Sequence, residues 1–161
     1  FFGSLRLGAP SEVDSVWAAS HLLPAESELW FRLSNADRRH TITVARTVMD
    51  QLGEAHRPVV AAALLHDVGK LVSGFGPVGR VLATLIGTFS HPTLVTSWTG
   101  SSGFRRRIAD YLRHPEEGAA LLSAVGSDPF TVAWVNEHHR PRCLWTVDPL
   151  LGQVLSNADD D

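Results

Sequence analysis

The chain has a single cysteine, Cys143, in 161 residues. Neither an internal disulfide nor a cysteine-cluster zinc site can form, which suits a reducing compartment and gives the expectation of a cytoplasmic protein. Charge is also scarce: 19% of the residues are Asp, Glu, Lys or Arg, and the net charge is -3. Without a basic excess there is no overall field to hold duplex DNA or RNA by counterion release, so neither is expected as a partner. Residues 81–104 contain no Asp, Glu, Lys or Arg, a length at which a membrane span has to be weighed. His91-Pro92, Gly87 and many Ser and Thr residues interrupt that segment. It therefore reads as a buried helix plus a loop, with membrane insertion not expected, because a span needs a nearly continuous apolar helix. No internal repeat and no period-two alternation stands out, so strands are not expected. Residues 1–10 lack the basic flank and apolar core of a signal peptide and read as a tail.

What the chain does have is apolar substance, 44% of its residues, enough for one compact core in one domain. Its helix starts are legible. Asp128-Pro129 and Asp148-Pro149 each place a capping side chain before a proline whose fixed φ suits the first helical position. Ser11 with Asp14 forms a capping-box pattern before a helix to about Leu22, and Pro24 opens another toward Leu33. Asn35 or Asp37 begins a third, in which His40, Val44, Val48 and Leu52 recur every four residues and Gly53 suits the stop. That spacing predicts that His40 points inward. Pro58 begins a helix whose residues 59–65 are apolar on every side, as expected of a central helix. After a loop marked by Gly74, Gly76, Pro77 and Gly79, helices are expected over 80–89 and 104–113, then a break at His114-Pro115 and a helix over 115–125.

Five features carry chemistry: His40, the pair His66-Asp67, His114, the pair His138-His139, and an aspartate in the terminal run Asp159-Asp160-Asp161. Imidazole and carboxylate together suit divalent first-row metals, and a carboxylate can bridge two ions that imidazoles complete. Leu151, Leu155 and Asp159 recur every four residues, which places Asp159 on the apolar face of the last helix and leaves Asp160 and Asp161 to solvent. Lys70, one turn after His66 and Asp67, can aim a cation at an anion bound there. Spacing does not decide between His138 and His139, since both lie within one turn of Val135; His138 is taken as the ligand and His139 as a substrate contact, a further ligand or a proton shuttle.

With a histidine, an adjacent His-Asp pair, further histidines and a late aspartate, the chain resembles the HD-domain superfamily over residues 37–160. The run Leu64-Leu65-His66-Asp67-Val68-Gly69-Lys70 is similar to that superfamily's most recognisable signature. The resemblance implies an all-α, single helical bundle over residues 11–161, in which His40, His66, Asp67 and Asp159 hold one metal. Asp67 then bridges to a second metal held by His114 and His138 or His139. His114-Pro115-Glu116-Glu117-Gly118 and the paired histidines are most similar to the HD-GYP branch, which hydrolyses cyclic dinucleotides. Two departures separate the chain from that branch: Arg140-Pro141-Arg142-Cys143-Leu144-Trp145 replaces the glycine-tyrosine-proline motif, and Ala36 replaces a frequent glutamate. Neither a third metal nor cyclic di-GMP specificity is carried over. The spacer over residues 73–111 is longer than its equivalent there and is expected to reshape substrate access.

The implied function is metal-dependent phosphoester hydrolysis on a small anionic, nucleotide-like substrate, with two divalent ions, iron or manganese foremost. Asp67, Lys70 and His139 are the expected catalytic groups, and Lys70 and Arg140 the expected anion contacts, because a guanidinium suits bidentate phosphate binding. Two alternatives stay open: a diiron HD-domain oxygenase, which needs the same bridged pair, and a signalling or ligand-binding module without catalysis. A homo-oligomer is compatible with all three.

Overall fold

Short capping side chains set the helix starts. In the computed structural model, which describes residues 8–73, 97–100, 102–103, 108 and 113–160, Ser11 accepts the Asp14 amide at 3.0 Å and opens α1, Glu12–Ser20. Pro24 opens α2, Pro24–Phe31. Ser34 accepts the Asp37 amide at 3.2 Å and opens α3, Asn35–Leu52. The cap of α3 is thus Ser34, one residue before the expected start, and Asp37 occupies the third helical position of a reciprocal pair with it. At its other end Gly53 takes φ +71° and ψ -66°, a γ-turn in which the Glu54 N–H donates to the Leu52 carbonyl at 2.8 Å, a conformation open to a residue without a Cβ.

The central element is α4, Arg57–Leu65. All seven residues from Val59 to Leu65 are buried, six of them completely, as a helix apolar on every side requires. Helices α2 and α3 pack on α4, and so does α7, Pro129–Glu137. A short α5, Lys70–Ser73, follows the turn after α4 and meets α6, His114–Ala124, which lies along α7. The last helix, α8, Pro149–Asp160, packs on α3. Single 3-10 turns occur at Trp98–Gly100 and Arg142–Leu144. Among the described residues there is no strand, and the architecture is an all-α bundle. Among the described residues no helix is long and apolar enough to cross a membrane.

The break expected at His114-Pro115 falls one residue earlier. Arg113 caps α6 and His114 is its first residue, with Pro115 second. Proline fits there because the amides of the first turn have no intrahelical partner to lose. Asp128 caps α7 by accepting the Phe130 amide at 2.9 Å, and Asp148 accepts from Leu150 and Leu151 at 2.9 and 3.1 Å at the start of α8. The helix expected over 80–89, most of that over 104–113, and most of the 73–111 spacer lie outside the described residues.

Polar ties also fix the helices to one another. Glu26, fully buried, accepts the Leu23 amide at 2.7 Å and an Arg57 guanidinium N–H at 3.1 Å, joining the start of α2 to the start of α4. Trp30 donates its indole N–H to Thr41 Oγ1 at 3.1 Å, joining α2 to α3.

If α4 is the packing centre, Leu64→Ala lowers stability by about 2–5 kcal/mol, whereas loss of one surface cap in Asp128→Ala costs about 1 kcal/mol. Urea denaturation followed by circular dichroism checks this ordering, and the reverse ordering contradicts it.

Candidate metal centre

The buried C-terminus of α4 delivers His66 and Asp67 to the interior, 2% and 3% exposed. His66 caps α4, and its Nδ1–H donates to the Ala63 carbonyl at 2.9 Å. The same device closes α7: His138 is the C-cap, and its Nδ1–H donates to the Val135 carbonyl at 2.8 Å. In both, the bond to a carbonyl fixes the tautomer and leaves Nε2 to face the space between the helices. Helix α8 brings Asp159 from its own C-terminal turn. Three helix C-termini, each with its negative partial charge, thus supply residues to one place, and such a place favours cations.

Asp159 Oδ1 lies 2.9 Å from His40 Nε2 and 3.3 Å from His66 Nε2. Asp67 divides its two oxygens between two neighbours: Oδ2 lies 3.6 Å from His66 Nε2 and accepts from Lys70 Nζ, while Oδ1 lies 3.6 Å from His114 Nε2. His40, His66 and Asp67 offer ligand atoms within 4.8 Å of one another, and His114, His138 and His139 form a second set within the same limit. The sets adjoin, with the His66 and His138 ring centroids 5.5 Å apart.

Burial disfavours charge on all of these groups, and their neighbours decide the outcome. His66 is buried, which opposes protonation, but the Asp67 and Asp159 carboxylates outweigh that and raise its pKa to about 9. Asp67 would be pushed up by burial, yet His66, Lys70 and His114 hold it well below the usual carboxylate range. Asp159 is likewise held down, against burial, by hydrogen bonds from His40 and His66. Burial, reinforced by His66 and His139, pushes His138 down to about 2, so its imidazole is neutral. Burial also lowers His139.

The donor set fits a pair of divalent first-row ions. Imidazole nitrogens with two ionised carboxylates are the ligands such ions take, and His66, protonated without an ion, would give up its Nε2 proton on binding one. His138 supplies the structural test: its Nε2 is buried and has no hydrogen-bond partner. A buried polar atom left unpaired costs about 1–3 kcal/mol, and a metal bond at that lone pair would remove the deficit.

Each expected site residue has a definite place. His40, His66, Asp67, His114, His138 and Asp159 come together from five helical segments of the chain. The inward expectation for the His40 stripe holds at Val44 and Val48, 2% and 0% exposed, but the His40 side chain is 41% exposed and forms the open edge of the centre. His139, left open between several roles, joins His114 and His138 as a third nitrogen while itself exposed. Lys70, expected to face a bound anion, donates from Nζ to Asp67 Oδ2. Arg140 does not meet the centre among the contacts of the described residues: its guanidinium donates to Asn136 at 3.3 Å, and that of Arg142 donates to Gln153 at 2.8 Å. Asp160 is exposed. Glu137 was not singled out by the sequence. It is buried and accepts both the amide and the hydroxyl of Thr146 at 2.7 Å, clamping the loop after His138-His139 against α7. A glutamate beside a histidine pair carries no sequence signal that distinguishes such a latch from a solvated face.

Because His138 Nε2 is unpaired, His138→Leu is expected to leave the metal-free protein within about 1 kcal/mol of the original stability. Thermal melting in chelator checks this; a large loss of stability would mean that the imidazole holds the fold rather than a ligand. The chain matches no family model, no curated protein and no solved structure.

Proposed function

We propose that this chain is a metal-dependent phosphohydrolase of the HD-domain kind, acting on a small anionic phosphoester at a dinuclear centre. The observation that carries the reading is the division of Asp67, one carboxylate oxygen toward His66 and the other toward His114. His40, His66, Asp67 and Asp159 would hold one ion; Asp67, His114 and His138 would hold the other. Bound there, a pair of divalent ions would supply Lewis acidity toward phosphoryl oxygens and a water of lowered pKa.

The chain's own residues set the rest of the chemistry. Among the described residues two carboxylates, Asp67 and Asp159, would offset two dications, so a loaded centre would keep a positive charge for an anionic substrate to neutralise. Lys70 adds a cation beside Asp67 and would aim at a phosphoryl oxygen. His139 sits at the exposed rim, and burial lowers its pKa. A neutral imidazole there can accept a proton from the attacking water and pass it to solvent. The open edge at His40 gives the substrate its approach.

Purified without chelator or nickel resin and reloaded with manganese(II), the protein is expected to hydrolyse bis(p-nitrophenyl) phosphate or p-nitrophenyl phosphate, with nucleotides as the next substrates. Asp67→Asn abolishes the reaction, and Lys70→Met lowers kcat/KM by about 10- to 100-fold with metal content unchanged. No hydrolysis by the loaded protein, together with oxygen uptake by the iron-loaded form, would overturn the reading in favour of a diiron oxygenase.

A further inference from the structure

Two glycines meet where α6 crosses the turn after Asp67. A Cβ built on Gly69 would lie 1.7 Å from the His114 carbonyl oxygen and 2.7 Å from the Gly118 amide nitrogen. One built on Gly118 would lie 2.9 Å from Val135 Cγ1 and 3.0 Å from the Gly69 nitrogen. Neither glycine has a positive φ; among the described residues those that do are Gly53, Gly103 and Gly126. Backbone conformation therefore does not require glycine at 69 or 118, and close approach does. Gly118 lies inside α6, where glycine is a poorer helix former than alanine.

Apart from Val68 and Gly69 beside the shared Asp67, the residues pressed by these contacts belong to one half of the centre. Gly69 touches the backbone of His114, and Gly118 touches Val135, whose carbonyl orients His138. His40 and Asp159, on α3 and α8, lie on neither contact. We propose that Gly69 and Gly118 are positioning residues that set how closely the histidine set of α6 and α7 approaches Asp67, and hence whether the second ion can share that carboxylate. The inference rests on the dinuclear reading above. An alanine at 69 would have to move the His114 carbonyl by about 1.3 Å, from 1.7 Å to the 3.0 Å below which Cβ contacts essentially do not occur. Metal–ligand bonds tolerate errors of only about 0.2 Å.

Cobalt(II) titration of the full chain, followed by visible absorbance and calorimetry, tests this. The original protein is expected to take two equivalents. Gly69→Ala is expected to keep the first at unchanged affinity and to bind the second about 100-fold more weakly, the upper range for a displaced supporting group. Gly118→Ala, with the milder clash, weakens the second by about tenfold, and adding Val135→Ala, which removes the nearest atom but not the Gly69 nitrogen, recovers part of that loss. A merely structural role would move both equivalents together and would not respond to Val135→Ala. If Gly69→Ala does not fold, Gly118→Ala and its partner carry the test. Two equivalents at unchanged affinity in the glycine variants, or equal loss of both in a folded variant, overturns this inference alone. Fewer than two in the original protein overturns the dinuclear reading and this inference with it.

Discussion

A carboxylate buried at the C-terminal end of a buried helix is an expensive arrangement, because its charge adds to the negative end of the helix dipole in a poorly solvated place. Asp67 is in that position, and the surrounding structure is arranged to compensate it. His66 and Lys70 meet one oxygen and His114 faces the other. Helix α4 can hold the carboxylate there only because its own sides are apolar throughout and packed by α2, α3 and α7. The same packing that buries Val59 through Leu65 therefore fixes the point from which both halves of the centre are measured.

The histidines answer that constraint in a repeated way. His66 and His138 both end helices, both donate Nδ1–H to a carbonyl three residues back, and both direct Nε2 inward. A side chain anchored through one nitrogen loses little further freedom when the other binds, which is how supporting hydrogen bonds raise metal affinity. The unpaired Nε2 of His138 is a stability cost that a fold without a ligand to bind would have little reason to keep.

Much of this was legible in the residues. Proline after aspartate marked the starts of α7 and α8, and the all-apolar run marked the central helix. The four-residue spacing from Leu151 to Asp159 placed that carboxylate on the inner face, and it meets His40 and His66. What was not legible depends on distances between helices. Spacing along α3 gives the direction of His40 but not what packs over it, so its exposure was unforeseen. The pairing of Gly69 with Gly118 and the latch from Glu137 to Thr146 join positions whose relation only packing creates. Arg140 shows the limit of residue type as a guide: a guanidinium near a site is as readily satisfied by a neighbouring amide, here Asn136.

The central claim, that Asp67 is shared between two ions, is tested most directly by anomalous diffraction from crystals grown with manganese(II). The account predicts two peaks about 3.5–4 Å apart, the spacing of bridged two-metal sites, one beside His40, His66 and Asp159 and the other beside His114, His138 and His139, with Asp67 between them. A single peak, or two peaks too far apart for one carboxylate to span, would contradict it.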